Sequence, residues 1–292
     1  MENNQPEQVP QPVPLATTSK TNSPLSHFFI KLITTTVVIS LAAIFTTSAI
    51  IFSLDDWEDY YYVSDGTCNI GVFDLKGPIM PVAEEGYLEV DPDMVRWFIT
   101  QAESEPEIEG VLFVIDSPGG TPVAGEDVAA LISNTTLPTI GLIRDSGTSA
   151  AYLAAAATDT IIASPFSDVG SIAITMSYVD YALQNEREGI SFNQLSSGEF
   201  KDYMDPDRTL TEAERALLER DLAVWHDYFI DLVSKYRELD KNHVATLADG
   251  SSMPGSLAKE AGLVDLLGGR ETARETFAAT LEKDTDSIIF CD

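Results

Sequence analysis

Apolar and polar positions alternate along this chain with a period that changes from block to block, and each change marks an element. The run from Leu32 to Leu54 carries no charge and no amphipathic period, and at the helical rise it is long enough to cross a hydrocarbon core. Beyond it, Asn69–Leu75 reads as a strand closed by Gly77-Pro78. Pro92–Ser104 has the Met94, Val95, Phe98 spacing of an amphipathic helix capped by Asp91. Gly110–Ile115 is a continuous apolar run rich in β-branched residues, as expected of a strand buried on both faces of a parallel sheet. A helix is predicted from about Ala124 to Asn134, then a buried strand over Thr139–Ile143, then a polar turn over Asp145–Thr148 that leads through Ser149 into an Ala-rich helix. Thr160–Ala163 and Ile172–Ser177 predict further strands, Asp180–Glu188 a short helix, and Ile190–Leu195 another strand. Thr211-Glu-Ala-Glu214 is a capping box opening a helix to about Tyr236, with Ala213, Ala216, Leu217, Ala223, Val224, Ile230 and Val233 on its buried side. The remainder is predicted helical over Val244–Leu247, Ser256–Ala261 and Glu271–Leu281. The βαβ alternation predicts an α/β domain, in which loops at the carboxyl ends of strands bring Gly119-Gly120 and Ser149 to one crevice.

Composition changes this picture in three places. Met1–Ser26 is rich in Pro, Gln, Asn, Thr and Ser and cannot bury enough surface to order itself, which predicts a flexible tail. Lys20 and Lys31 precede the uncharged run while Asp55, Asp56, Glu58 and Asp59 follow it, so the tail is expected in the cytoplasm and the large C-terminal part outside. A cleaved signal peptide would have an apolar region of only about 7–15 residues, so the run is read as an anchor. The formal net charge of -30, with no basic cluster, excludes nucleic acid as a partner and is read as ordinary surface solvation. Cys68 and Cys291 lie near opposite ends of the outer part; two cysteines define no framework, and their pairing stays open. The organisation expected is a disordered cytoplasmic tail over 1–27, a transmembrane helix over 28–54, a linker over 55–67, a globular domain over 68–284 and a C-terminal tail over 285–292.

Candidate chemistry centres on Ser149. A hydroxyl at a helix start lies beside unpaired backbone N–H groups and the positive end of the helix dipole, where a developing oxyanion is stabilised, although serine is also an ordinary helix cap. Gly119-Gly120 lets the backbone approach a substrate and aim an N–H at it. Lys201, in a loop with Phe200 and Tyr203, becomes a base only if it is enclosed so that its amine is neutral. His226 falls within the long helix and His243 at a helix start, which leaves neither placed as a triad base, and no His/Cys spacing suits zinc.

Five segments in order resemble the signal peptide peptidase A family of membrane serine peptidases, in its short form with one catalytic domain: Ser117-Pro-Gly-Gly120, Ser149-Ala-Ala-Tyr152, Gly170-Ser-Ile172, Ser197-Gly-Glu-Phe-Lys201 and Ala258-Lys-Glu-Ala-Gly-Leu-Val-Asp265. The resemblance implies a ClpP/crotonase-like α/β domain preceded by one transmembrane helix. It implies Ser149 as nucleophile and Lys201 as general base, with Ser171 holding the lysine amine. The amides of Gly120 and Ala150 would form the oxyanion hole, and Gly119 would allow the loop to approach. It implies peptide substrates, remnant signal peptides among them, no metal or cofactor, and a homo-oligomer whose Ser/Lys pairs form between adjacent subunits. One departure is that Ala150-Ala151 stands where the family has Gly-Gly, placing methyl groups beside the oxyanion site. A catalytically impaired, membrane-anchored scaffold of the same fold is the alternative, and the retention of both Ser149 and Lys201 argues against it.

Overall fold

The computed structural model describes residues 63–291 apart from 65 and 85, together with scattered positions between 25 and 40. Those scattered positions are helical, but most of the predicted span Leu32–Leu54, the tail and most of the linker lie outside the described residues. Among the described residues no helix is long and apolar enough to cross a membrane. The chain divides into two units, residues 1–60 and 61–292, and the sheet, its helices and the candidate site belong to the second.

Strands buried on both faces build the centre of the sheet. β1 (Ile70–Lys76), β2 (Gly110–Ser117) and β3 (Thr139–Thr148) lie side by side and parallel, in register Ile70↔Gly110 and Val111↔Thr139. Along β2, Val111, Phe113 and Ile115 turn to one face and Leu112 to the other, and all four are buried, as a sheet covered on both sides requires. The first face packs on α1 (Pro92–Ser104), α2 (Pro122–Asn134) and α3 (Ala150–Ala156). α8, the helix Arg270–Thr280, covers the second face with Ala273, Phe277 and Ala278. α1 begins where expected: the Asp91 carboxylate accepts from Met94 N–H at 2.9 Å, and Val95, Phe98, Ile99 and Ala102 form the buried stripe.

β3 is longer than its apolar run predicts. The polar turn expected over Asp145–Thr148 is the last part of the strand, because β3 changes neighbour half-way. Its first half pairs with β4 (Thr160–Ala163) and its second with β5 (Asp168–Gly170), which supplies the ladder that the polar side chains do not forbid. A register shift between Ile115 and Ser117 lets β2 follow. Beyond β5 come α4 (Ala182–Glu188), α5 (Glu212–Arg237), α6 (Lys241–Leu247), β6 (Ser252–Pro254, antiparallel to β5), α7 (Gly255–Glu260) and β7 (Leu266–Leu267, parallel to β4).

Three further expectations are corrected. Ile172–Ser177 and Ile190–Leu195 carry strand-like sequences but have no ladder partner among the described residues and are not strands. The buried stripe of α5 is Leu218, Phe229, Ile230 and Val233, whereas Val224 is 62% exposed; the middle of this 26-residue helix extends past the core it packs on. Finally, the C-terminal tail is part of the fold: Thr285–Ser287 makes a 3-10 turn and β8 (Phe290–Cys291) pairs with β1, with a Cys68–Cys291 disulfide closing the same edge.

Candidate active site

Ser149 stands where β3 hands over to α3, with φ 55° and ψ -124°, a conformation L-residues seldom adopt and one that costs about 1–3 kcal/mol. Two backbone bonds hold it there: Ser149 N–H donates to Gly170 O at 2.8 Å, and Leu153 N–H to Ser149 O at 3.1 Å. The corner lifts the serine side chain out of the helical cap geometry, and its oxygen makes no capping bond. The amide of Ala150, at the first position of α3, has no intrahelical acceptor.

The glycine loop after β2 is pressed against this corner. Gly119 has φ +99°, and a Cβ there would come within 2.8 Å of both Ser149 Cβ and Thr148 O. Gly120 passes close to Ile79, whose carbonyl oxygen would lie 1.9 Å from a Cβ. Ile79 N–H donates to Gly119 O at 2.8 Å and Ile79 O accepts from Thr121 N–H at 2.9 Å, so the Gly120 amide points to the side opposite Ile79. The sequence expectation that both loops share a crevice corresponds to this contact. The methyl of Ala150 is turned away from it and is buried against α2, where a Cβ on Gly125 would lie 2.6 Å from Ala150 Cβ. Gly125 is therefore the residue that makes room for alanine after the serine, and a sequence reading that follows the motif alone has no signal for it.

α3 is fixed from behind. All seven of its residues are buried, and the Tyr152 hydroxyl donates to Leu263 O at 3.0 Å. Burial pushes the Tyr152 phenol well above its ordinary pKa. Arg237, itself almost wholly covered, pairs with Asp265, whose other carboxylate oxygen accepts from Ile161 N–H at 2.7 Å. The Gly262–Asp265 segment thus ties β4, α5 and α3 together.

Of the remaining predicted residues, Ser171 directly follows Gly170, whose carbonyl accepts from Ser149 N–H, but among the described residues no side-chain hydrogen bond joins Ser171 or Lys201 to Ser149. Ser171, also at positive φ (54°), donates through Oγ to Gly250 O at 3.1 Å. Lys201 is exposed on a turn, its N–H donating to Gly198 O at 3.2 Å, and among the described residues its amine bonds neither Ser149 nor Ser171. His243 bonds Ala261 O through its ring at 2.9 Å. A cleft of about 300 Å³ lined by Arg144, Asp145, Phe166 and Gly268 includes neither Ser149 nor Lys201. Arg208 is not singled out by sequence, yet its guanidinium pairs with the Glu214 carboxylate of the capping box at the start of α5. The Glu214 carboxyl is held down to about 2 by the Arg208 hydrogen bonds first and then by the Thr211 backbone N–H.

A strained serine at a strand-to-helix corner, a free helix-start amide beside it and a glycine loop in contact are the parts that serine-type acyl transfer uses, carried here on a parallel-rich α/β sheet. The chain matches the description Peptidase family S49 over residues 133–284, a stretch that takes in Ser149, Ser171 and Lys201 but not Gly119-Gly120. It is 32% identical over 173 residues to a candidate protease of Methanocaldococcus jannaschii, covering 59% of this chain and 56% of that one. It is 31% identical over 198 residues to a candidate signal peptide peptidase SppA of Enterococcus faecium, covering 66% of this chain and 57% of that one. Among solved structures it resembles the 1510-N membrane-bound stomatin-specific protease, in a mutant form, with a TM-score of 0.49, 15% identity, and coverage of 72% of this chain and 84% of that one. The chain belongs to peptidase family S49, and the resemblance to signal peptide peptidase A is borne out; it spans a little over half the length of those M. jannaschii and E. faecium relatives.

Proposed function

We propose that the protein is a membrane-anchored serine endopeptidase that cleaves short unfolded peptides, remnant signal peptides among them, through a Ser149/Lys201 dyad. The observation that carries this reading is the strained Ser149 corner with Gly119 packed against it in a chain of this peptidase family. In the reaction, the neutral Lys201 amine takes the Ser149 Oγ proton and Oγ attacks the scissile carbonyl carbon. The resulting oxyanion accepts from the Gly120 and Ala150 amides, and collapse breaks the C–N bond as the lysine returns the proton to the leaving amine. Water then adds to the acyl-enzyme by the same route and releases the acid and free Ser149.

Lys201 is exposed on its own chain, whereas a neutral amine needs enclosure, so the working site is formed by two chains, with Lys201 of one meeting Ser149 of its neighbour. Support comes from the large apolar side chains left uncovered around the lysine segment: Val179 is 68% exposed, Ile190 54% and Leu195 99%. The catalytic unit is placed outside the cytoplasm, behind a single N-terminal span. The charge step around Leu32–Leu54 and the Cys68–Cys291 disulfide, a bond kept in oxidising compartments, both favour that side.

The test is hydrolysis of dye-labelled casein by the detergent-solubilised chain. Ser149→Ala and Lys201→Ala should each lower turnover by roughly 10³-fold or more, and the double variant should be no worse than either. Mixing the two single variants should restore on the order of a quarter of the sites if the dyad forms between subunits. Turnover surviving in Lys201→Ala would sink the dyad, and a mixture that stays inactive would confine the site to one chain.

A further inference from the structure

The segment that presents Lys201 has two footings, and one of them is a buried charge pair. Its later part is tied to α4: Tyr181 N–H donates to Pro206 O at 2.6 Å, and the Asn185 side-chain amide donates to the Asp207 carboxylate at 3.0 Å. Its earlier part is held by Arg208. The guanidinium Nη1 donates to Glu214 Oε2 at 2.9 Å, while Nη2 reaches both Glu214 Oε1 and, at 2.8 Å, the carbonyl of Asp202, the residue next to Lys201. Glu214 is in turn fixed by Thr211, whose backbone N–H and hydroxyl donate to Oε2 at 2.9 and 2.8 Å. The pair is enclosed, with side-chain exposures of 18% for Arg208 and 4% for Glu214.

A buried ion pair adds little net stability over an apolar pair of the same volume, because removing two charges from water offsets their attraction; what it supplies is a fixed geometry. Here that geometry ends on the Asp202 carbonyl. Among the described residues Lys201 itself is held by its N–H bond to Gly198 O alone, so the Asp202 anchor sets where the amine can reach. A planar guanidinium meets a carboxylate and a carbonyl at once, which a lysine ammonium, a single point charge, does not reproduce.

We propose that Arg208 is a positioning residue for catalysis: clamped to Glu214 at the start of α5, it holds the Asp202 carbonyl and thereby fixes the presentation of Lys201 to the serine. This deepens the Ser/Lys reading and depends on it. Two variants of the full chain test it. Arg208→Lys keeps the charge but not the fork. Arg208→Met with Glu214→Gln removes both buried charges while keeping a capping box, since Gln serves at that position as Glu does. Both should retain one cooperative unfolding transition and leave KM for the casein substrate within about twofold, while kcat falls by about 100-fold, the scale of loss expected when a catalytic group is misplaced by an ångström. A parental kcat in the folded variants would overturn the proposal. So would a loss of the transition in both, because the pair would then hold the fold and not the loop. Lys201→Ala measured alongside separates the two readings: if it remains active the dyad itself fails, and if it is inactive while the Arg208 variants match the parent, only the positioning role fails.

Discussion

At the scale of single residues, the substitution of alanine for glycine after Ser149 is resolved by a partner 25 positions earlier in the chain. Glycine inside a helix costs about 1 kcal/mol relative to alanine, so Gly125 within α2 has a packing reason, and that reason is the Ala150 methyl. Gly125→Ala should therefore destabilise by about 1–3 kcal/mol through overpacking, despite its better helix propensity, and should disturb the Ser149 corner along with it. Adding Ala150→Gly should recover most of the loss. Denaturant midpoints and casein turnover for the two single variants and the double variant would check this, and simple additivity of the two changes would refute the coupling. The Ser149 corner and the glycine loop beside it are legible because each belongs to a short segment with its own chemistry. Gly125 was not, because the contact that explains it lies between two helices and leaves no periodic mark on either.

Among the elements, those whose signal is local were read well. α1 has its Asp91 cap and stripe, α5 its capping box, and β2 its unbroken apolar run. The misread strands concern ladder partners. Ile172–Ser177 has the side chains of a strand and, among the described residues, no neighbour to pair with, whereas Asp145–Thr148 has the side chains of a turn and is a strand because β5 lies alongside. β6, β7 and β8 are two or three residues long, too short for any period to register. The capping box also carries a pH signature. The Glu214 carboxyl is depressed from 4.5 to about 2 in the folded chain, so its contribution is fully present above the ordinary carboxylate value and is lost as pH falls from there through about 2. Thermal midpoints measured across that window should fall less steeply for Glu214→Gln than for the parent, and parallel curves would remove Glu214 from the acid limb.

Over the whole molecule, the disulfide decides how far the ends of the domain can part. Cys68 and Cys291 are 223 residues apart in sequence and 5.2 Å apart between Cα atoms, at the edge where β8 lies on β1. Closing so long a loop is worth about 5 kcal/mol in the chain-entropy account, so reduction should lower the thermal midpoint by roughly 10 °C. Calorimetry with and without reductant would show it, and coincident midpoints would mean the bond contributes nothing. The sequence left this pairing open because two cysteines far apart say nothing of where the strands beside them lie. The same bond governs the domain under load. A pull on the two ends of the oxidised chain passes from Cys68 to Cys291 through one covalent link, and the residues between them feel no tension. Once the link is reduced, the force falls on the two residue pairs of the β8 ladder, and roughly 800 Å of chain, at about 3.6 Å per residue, becomes extensible.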